Sequence, residues 1–340
     1  MIDTVGLADL ADGAGQVQVD ASGRITNPLV LVDLDRADWG LAETAVAALG
    51  SRPAVLIGLS TIALPMAASP LLEALTVTLA PGGPGSTWVE GDQRTVETIA
   101  SAVAGSPTAA VTLAGLLRVT ARADVLDGLL IESLAYSMLL GGPEFSAWRA
   151  SRPRGQVPED DEPVVAVRDG AALSVVLNRP ARHNAFGRSL RDGLIEAMEL
   201  ARLDPSIRAV TLSGNGRSFC SGGDLDEFGT ATDLAAAHLV QLQQSAGHAV
   251  HRIADRVRVV VHGACVGAGI EVPAFASRVE AREGSWFLLP ELSMGLVPGA
   301  GGTVSITRRI GRWRTAYMAL LGQPFDRETA LSWGLVDARA

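Results

Sequence analysis

The sequence contains no lysine, since all 28 of its basic residues are arginine, and it has only two cysteines and five histidines. The absence of lysine excludes catalysis through a lysine Schiff base. Cys220 and Cys265 form no C-x-x-C spacing, so neither a disulfide framework nor a thiolate metal site is expected. The histidines are isolated from one another, which indicates no metal cluster. These features fit a reducing, cytoplasmic location.

Clustered positive charge and membrane-spanning runs are also scarce. The net charge is −9 and the arginines form no basic stripe, which argues against a nucleic-acid partner. The N-terminal segment MIDTVGLADL carries acidic residues and no charged-then-apolar layout, so no signal peptide is expected. The uncharged run Pro53–Leu72 is interrupted by glycine and proline, which predicts short elements and no membrane span.

The order of the segments predicts the fold class. Residues 151–162, rich in proline and charge, have the composition of a linker and divide the chain. After them, apolar runs around Asp169-Gly170 predict a β-hairpin, and residues 187–203 have a helical spacing of apolar side chains. A strand at Arg208–Gly214 and a long helix at Asp233–Asp255 follow, leading to another apolar strand. This alternation predicts an α/β fold with largely parallel strands.

The first 150 residues partly repeat this pattern. LVLVDLDRADW is similar to LSVVLNRPARH, and SRPAVLIGLS is similar to SIRAVTLSG. Either a degenerate internal copy or the chance likeness of short apolar runs explains this. From Thr95 to Trp148 the spacing predicts helices alone. The positions predicted to be buried there are Ile99, Val103, Leu113, Leu116, Leu117, Leu129, Leu130, Leu134 and Leu139.

Three glycine-rich turns follow apolar strands in the second half: FCSGGDL at 219–225, HGACVGAGIE at 262–271 and GLVPGAGG at 295–302. Glycine lets the backbone approach a ligand closely, although a lone glycine cluster is more often a tight turn. The turns contain no phosphate-binding P-loop, and the second has the wrong order for a dinucleotide fingerprint. A G-x-S-x-G nucleophile elbow is also absent, which leaves a serine hydrolase as the weakest hypothesis.

In combination these turns resemble the crotonase, or enoyl-CoA hydratase/isomerase, superfamily. FCSGGDLDEF resembles its F-C-x-G-x-D-L-x-E segment, and HGACVGAGIEV resembles its N-G-x-x-x-G-G-G-x-E-L segment. SWFLLPELSMGLVPGAGGTVSITRRIG resembles a third, long and highly specific segment. With the match of LNRPARHNAFG to N-R-P-x-x-x-N-A-L, the resemblance runs from Val164 to Val336. It implies a ββα spiral core with a helical lid or appendage.

The resemblance assigns a reaction centre. It puts two oxyanion-hole donors on the backbone N–H groups of Gly223 and Ala268. A helix that starts near Gly267 is expected to add the positive end of its dipole. Glu271 and Glu291 correspond to the two glutamates of the hydratase members of the superfamily.

Hydration of a conjugated double bond needs both a base and an acid. Two nearby carboxyls supply both only if one is protonated, and repulsion with partial burial raises one pKa for that purpose. Glu271 also lies in the apolar run IEVPAFA, where an unpaired charge is costly. For each glutamate, the alternative is a helix-terminal or loop carboxylate without a catalytic role. Gly299 corresponds to the family glycine beside the catalytic water, or is a plain turn glycine.

Coenzyme A carries phosphates and an adenine, so cations are expected near one edge of the pocket. Arg179 and Arg182 are the local candidates, or are solvated surface arginines. The backbone around Cys220 and Ser221 is the candidate for the adenine. Asp224 is included among the candidate CoA-binding residues, and its side chain is expected to brace its loop through backbone N–H bonds.

The chain departs from the family in the order of its segments. Ordinary crotonases continue beyond the G-L-V-D segment into a helical tail, and here residues 102–153 resemble that tail. The order is therefore permuted, or two copies are fused and each has lost a different piece. The upstream helices then cover their own core or a neighbour's. Gly115 stands where the family tail often has a lysine that contacts CoA, and the first half has no counterparts of the glutamate segments.

The predicted organisation is a degenerate crotonase-like and helical region at 1–150, a linker at 151–162 and a crotonase core at 163–340. The predicted activity is hydration of a 2-enoyl-CoA to a 3-hydroxyacyl-CoA, as in fatty acid metabolism. No metal or redox cofactor is implied, and a homotrimer or hexamer is expected. The alternatives are an isomerase or another acyl-CoA lyase of the superfamily, and a non-catalytic protein that binds CoA or a partner.

Overall fold

The computed structural model describes residues 3–50, 54–153, 155–156 and 162–340. Within these ranges the strands are β1 Asp3–Val5, β2 Leu29–Asp33, β3 Val55–Leu59, β4 Val77–Leu79, β5 Val164–Asp169, β6 Ala172–Leu177, β7 Ala209–Gly214, β8 Val257–Val261, β9 Ala264–Val266, β10 Arg278–Ala281, β11 Trp286–Leu288, β12 Phe325–Asp326 and β13 Ala338–Arg339. The α-helices are α1 Leu7–Ala11, α2 Ala42–Leu49, α3 Ser69–Ala74, α4 Gln93–Gly105, α5 Pro107–Thr120, α6 Val125–Leu140, α7 Pro143–Ala150, α8 Arg188–Leu203, α9 Leu234–Gln243, α10 Ala246–His251, α11 Ala268–Glu271, α12 Gly302–Leu321 and α13 Arg327–Trp333. Short 3-10 helices lie at Trp39–Leu41, Met66–Ala68, Pro180–Arg182, Ala254–Arg256, Pro273–Phe275 and Glu291–Met294. The predicted α/β class is confirmed.

A six-stranded sheet, β13-β10-β8-β7-β6-β5, forms the centre of the second half. β5 and β6 are antiparallel and turn at Gly170, whose φ of 55° suits glycine. The other neighbouring strands pair in parallel. Leu173, Val175 and Leu177 alternate with more exposed residues along β6, because one face of this sheet packs against α8. The predicted hairpin and the parallel pairing are both confirmed.

A three-stranded sheet, β12-β11-β9, brings two of the glycine-rich turns together. β9 pairs with β11 in parallel, and β11 pairs with β12 antiparallel. The segment 219–223 joins β9 through a parallel bridge between Cys220 and Cys265. The first two glycine-rich turns therefore run side by side, although they are far apart in the sequence.

The helices predicted between Thr95 and Trp148 are α4 to α7. Seven of the nine positions predicted to be buried there are buried. The prediction is wrong for Leu130 and Leu134, which are 39% and 52% exposed. They form an exposed apolar row with Leu126 and Met138, because α6 carries apolar residues on all of its sides.

Two of three predicted elements in the second half match the structure closely, and the third is divided. α8 and β7 agree with the predicted helix and strand to within one residue. The long helix predicted at Asp233–Asp255 is instead two helices, α9 and α10. The break occurs because the Ser245 side chain accepts a hydrogen bond from the N–H of His248 and thereby caps α10.

The first half contains a four-stranded sheet of its own, β1-β2-β3-β4, in which all neighbours are parallel. Its strands β2 and β3 lie in the two segments that are similar to those of β6 and β7, and both pairs are parallel. Fusion of two copies explains this second sheet, whereas forward movement of a helical tail does not. The origin by fusion stays a prediction.

One hydrophobic core extends through both halves of the chain. It includes Val77 of the first sheet, Leu113 of α5, Leu212 of β7 and Val304 of α12. A second cluster of buried residues packs on the other face of the first sheet. The helices α4 to α7 therefore cover the core of their own chain.

The predicted linker is described only in part, because residues 154 and 157–161 lie outside the described residues. Next to this gap, the N–H of Gly155 donates to Asp226 Oδ1 at 2.7 Å. The domain boundaries at 150 and 163 stay predictions.

In the ranges that the structure covers, no single helix is long and apolar enough to cross a membrane. Two bent pairs, α4 with α5 and α6 with α7, reach that length and composition only when each pair is taken together. The described part of the uncharged run, residues 54–72, forms β3, a 3-10 helix and the start of α3.

Candidate active site

A cavity of about 1290 Å³ opens between the helices α6 and α9 and the glycine-rich loops of the second half. Its size is above that of most small-molecule sites. All five residues predicted to be catalytic line it: Gly223, Ala268, Glu271, Glu291 and Gly299. The structure therefore brings these residues together, and their chemical roles stay predictions.

The two predicted oxyanion-hole donors lie on neighbouring segments. Cys220 and Cys265 form a parallel bridge, and Gly223 and Ala268 each follow their bridge residue by three positions. Neither N–H donates a hydrogen bond to another residue in the part of the chain that the structure describes. Two unbonded N–H groups on adjacent segments that line one cavity can bind a single carbonyl oxygen.

The helix predicted to start near Gly267 is α11, and Gly267 is its N-cap. It makes only one turn before a 3-10 helix, Pro273–Phe275, continues the chain. A macrodipole arises from many aligned peptide units, so one turn adds little. A helix dipole therefore adds little to the two N–H groups at this position.

Glu271 and Glu291 point toward the same place. A methyl group on Gly267 would lie 2.6 Å from Glu291 Oε1 and 3.6 Å from Glu271 Oε1. The two oxygens are thus no further apart than the sum of these distances. Gly267 has a φ of 49°, so glycine is favoured there by its backbone conformation as well as by space.

Hydrogen bonds hold one side of the Glu271 carboxyl. Its Oε2 accepts the N–H of Ala300 at 2.8 Å and the N–H of Gly302 at 2.9 Å. Oε1 is left facing Gly267. Burial raises the pKa of Glu271 to about 7, although these two N–H donors favour the ionised form.

Glu291 has less support than Glu271. Its side chain is buried, and within the described residues its Oε2 has no hydrogen-bond partner. Burial, followed by repulsion from Glu271, raises the pKa of Glu291 well above its ordinary value. Raised pKa values on two neighbouring carboxyls favour a state in which one is protonated and the other ionised, as an acid and a base in one site require, and the two titrations are coupled.

Two residues of α6 that were not predicted from the sequence also line the cavity, Glu132 and Tyr136. Glu132 is buried and accepts hydrogen bonds from the 299–303 turn. The Tyr136 ring packs against Gly299, where an added methyl group would lie 2.4 Å from the ring. A carboxylate in the apolar run LLIESLAY was a signal for Glu132, by the argument that the sequence supplied for Glu271.

The structure corrects the interpretation of Arg179 as a cation for the CoA phosphates. Its side chain is fully buried, and it donates to the Ala185 carbonyl at 2.8 Å and to Asp224 Oδ2 at 3.2 Å. Asp224 also accepts from Arg182 at 2.7 Å and from the N–H of Asp226 at 3.2 Å. Asp224 therefore braces its loop as predicted, with arginine as its main partner. Arg179 is a structural residue.

Of the other predicted CoA contacts, three line a cavity and Cys220 does not. Arg182, Ser221 and Asp224 line a second cavity of about 320 Å³, which shares Gly223 and Asp224 with the first. The backbone of Cys220 is already bonded, because its N–H donates to Ala264 and its carbonyl accepts from Val266. Its carbonyl has one lone pair left, and the adenine contact near Cys220 stays a prediction.

Cations that the sequence did not single out line the larger cavity. They come from the end of α7, the segment that follows it, and α8: Arg149, Arg152, Arg188 and Arg191. Among the described residues, no group of His, Cys, Asp and Glu could hold a metal ion. The expectation of no metal cofactor stays a prediction.

The raised pKa of Glu271 predicts a pH-dependent stability. An unfolded glutamate ionises near pH 4.5, whereas folded Glu271 does so near pH 7. Stability from this group is present below pH 4.5 and is lost as the pH rises through about 7, by on the order of 3 kcal/mol. The free energy of unfolding, measured with urea from pH 5 to pH 8, should fall more steeply in the wild type than in Glu271→Gln.

The comparison with the variant cancels the titration of the two partly buried histidines, whereas loss of the Glu271 charge also lowers the pKa values of Glu291 and Glu132 and so reduces the pH dependence further. Burial lowers the pKa values of His248 and His251, which adds stability as the pH rises, and equally so in both proteins. Parallel curves for the two proteins would contradict the assignment of a raised pKa to Glu271.

The sequence profile of the family described as Enoyl-CoA hydratase/isomerase matches residues 168–339. A 2,3-dehydroadipyl-CoA hydratase of Escherichia coli is 34% identical over 173 residues, 51% of this chain and 67% of that protein. A mevalonyl-coenzyme A hydratase of Beauveria bassiana is 35% identical over 181 residues, 48% of this chain and 62% of that protein. A 1,2-epoxyphenylacetyl-CoA isomerase of Escherichia coli is 33% identical over 172 residues, 48% of this chain and 64% of that protein. The chain thus spans about two thirds of the length of these relatives, whose names include both hydratases and isomerases.

Proposed function

Because the chain belongs to the enoyl-CoA hydratase/isomerase family, we propose that it adds water to a 2-enoyl-CoA and forms a 3-hydroxyacyl-CoA. The main support for this proposal is a single cavity that contains two unbonded N–H groups and two converging carboxyl oxygens. Coenzyme A takes part as a portion of the substrate, and the reaction needs no metal or redox cofactor.

The first step is polarisation of the thioester. The N–H groups of Gly223 and Ala268 donate to its carbonyl oxygen, which gains negative charge when water attacks the β carbon. The species formed is an enolate, whose negative charge is delocalised over the α carbon and the oxygen. Donors already aimed at the oxygen stabilise it without reorganisation.

The second step is proton transfer through the carboxyl pair. As the water oxygen bonds to the β carbon, the ionised carboxylate takes a proton from the water, and the protonated carboxyl delivers one to the α carbon. The carbon–carbon double bond becomes single, and the pair ends with the same number of protons. We assign this chemistry to Glu271 and Glu291 jointly.

The coenzyme A portion fits the polar edge of the site. Arg182 and Ser221 border the smaller cavity next to Gly223, and four further arginines border the larger one. Arg182 is partly neutralised, because it forms ion pairs with Asp224 and Asp226. Arg188 and Arg191 of the larger cavity also form ion pairs, with Glu227 and Asp192. The phosphates are therefore expected to bind mainly to Arg149 and Arg152, which form no ion pair with a described residue.

An isomerase of the same family is the second candidate, because the description of the family includes enoyl-CoA isomerases. It would use the same N–H pair and one carboxyl to move a double bond. A non-catalytic CoA-binding role is less well supported, since burial of two carboxyls side by side costs stability without serving binding.

The test is a substrate series with the purified protein. Loss of the ultraviolet absorbance of conjugated 2-enoyl thioesters of several chain lengths reports hydration, and mass analysis identifies the 3-hydroxyacyl product. Conversion of 3-enoyl thioesters to 2-enoyl thioesters, with no 3-hydroxyacyl product, would favour the isomerase. Acyl-CoA binding without any turnover would overturn the enzymatic proposal.

We also expect a homotrimer or hexamer in the cytoplasm. The exposed apolar row on α6, formed by Leu126, Leu130, Leu134 and Met138, supports an interface between copies, since a row of this kind is rarely left in water. Light scattering after size exclusion measures the mass, and a monomer at micromolar concentration would contradict this expectation.

A further inference from the structure

The turn at residues 299–303 lies between two buried carboxyls. The N–H groups of Ala300 and Gly302 donate to Glu271 Oε2 at 2.8 and 2.9 Å. The intervening N–H of Gly301 donates to Glu132 Oε1 at 2.7 Å, and the N–H of Thr303 donates to Glu132 Oε2 at 2.9 Å. Four successive amides therefore alternate between the two carboxyls.

Glu132 makes a third bond to the same turn. The hydroxyl of Thr303 donates to Glu132 Oε2 at 2.6 Å. Glu132 is 2% exposed, and an isolated buried carboxylate is costly unless several donors satisfy it. Three donors from one turn thus tie Glu132 of α6 to the loop that holds Glu271.

The peptide between Gly299 and Ala300 is fixed from both sides. Its carbonyl accepts a hydrogen bond from Gln241 Nε2 at 2.5 Å, while its N–H donates to Glu271. Ser133, which follows Glu132 in α6, lies 3.1 Å from Gln241 Oε1 and donates to it. Since a peptide unit is planar, this pair of contacts sets the direction of the Ala300 N–H.

Packing leaves the turn little room to adjust. A methyl group on Gly301 would lie 2.4 Å from the Phe275 ring, and Gly301 has a φ of 105°. A methyl group on Gly302 would lie 2.6 Å from Glu271 Cγ. The turn therefore passes close to the body of Glu271, and its orientation determines where that side chain rests.

We propose that Glu132 is a positioning residue for Glu271. By holding the N–H groups of Gly301 and Thr303, it directs those of Ala300 and Gly302 to Glu271 Oε2, so that Oε1 faces Gly267. The helix α6 then completes the reaction centre in addition to covering it. The effect on turnover rests on the proposed function, whereas the effect on the turn does not.

A cap for α12 is the competing role, because the same turn begins that helix. The chain offers a matched control for it. Glu144 of α7 accepts the N–H groups of Thr108 and Ala109 at 2.8 and 3.1 Å at the start of α5, and it does not line the cavity. Glu144→Gln removes a comparable cap without contact to the turn.

The experiment compares Glu132→Gln with Glu144→Gln by kinetics and by amide hydrogen exchange. Glu132→Gln should lower kcat about 10²-fold with KM little changed, because a misplaced reacting group costs about that much. The amides of Ala300 and Gly302, which do not bond to Glu132, should lose protection specifically in Glu132→Gln. Glu144→Gln should change neither quantity.

The outcomes separate the two proposals. Unchanged protection of Ala300 and Gly302 in Glu132→Gln, or an equal loss throughout the protein, would overturn the positioning role. If the wild type turns over no acyl-CoA, the proposed function fails, and hydrogen exchange alone decides the role of Glu132. Should Glu132→Gln not fold, Thr303→Val removes only the hydroxyl donor, and a smaller loss of protection at the same two amides is expected.

Discussion

Replacement of Glu271 with glutamine should lower kcat for enoyl-CoA hydration by about 10³-fold, within the range found for loss of a general acid or base. The amide can still accept the N–H groups of Ala300 and Gly302, but it can neither take nor give the proton that the reaction moves. Glu291→Gln should have an effect of similar size, because the two carboxyls share one task. Steady-state kinetics on the 2-enoyl-CoA that the wild type hydrates fastest measures both.

Binding separates loss of chemistry from loss of structure. Calorimetry with a saturated acyl-CoA should give nearly the wild-type Kd for both variants. Glu283→Gln, at an exposed position outside the cavity, is the matched control and should keep full activity. If Glu271→Gln keeps more than a tenth of the wild-type kcat, the acid–base assignment is wrong.

Replacement of Ala268 with proline should lower kcat by 10² to 10³-fold, or about 3 kcal/mol of barrier, because it deletes one oxyanion donor. Ala268 is the first residue of α11, and its N–H bonds to no described residue, so the fold loses no hydrogen bond. Proline is well tolerated at this helix position. The preceding residue is Gly267, whose freedom of backbone conformation reduces the restriction that proline imposes.

Gln93→Pro is the control for the substitution itself. Gln93 is the exposed first residue of α4 and does not line the cavity. Its variant should keep full activity and stability. A kcat for Ala268→Pro within threefold of the wild type, with the protein folded, would remove the Ala268 N–H from the mechanism.

The residues that the sequence predicted best are those held in long local patterns. Gly223, Ala268, Glu271, Glu291 and Gly299 lie in glycine-rich turns that follow apolar strands, and parallel strands collect such turns at one edge of a sheet. Spacing alone did not give the convergence of Gly223 and Ala268. The bridge between Cys220 and Cys265 creates it, and pairing between distant segments leaves little trace in one sequence.

The residues that the sequence missed depend on distant contacts. Glu132 meets Gly301 across 169 positions, and its role follows from how α6 packs on a loop that forms later in the chain. Arg179 was predicted to contact the CoA phosphates or to be a solvated surface arginine, and both predictions assume exposure, whereas its ion pair with Asp224 allows full burial. Leu130 was expected to be buried because it is apolar, but it is 39% exposed. On a helix that is apolar on all of its sides, hydropathy does not indicate which side faces the core.

A crystal structure with bound butyryl-CoA, a saturated thioester that cannot be hydrated, tests the account most directly. We predict that the thioester oxygen lies about 2.7 to 3.1 Å from the backbone nitrogens of both Gly223 and Ala268. The α and β carbons should then lie next to the Oε1 atoms of Glu271 and Glu291. The account would be contradicted if the thioester oxygen were bound away from both nitrogens. It would also be contradicted if the α and β carbons lay far from the carboxyls of Glu271 and Glu291.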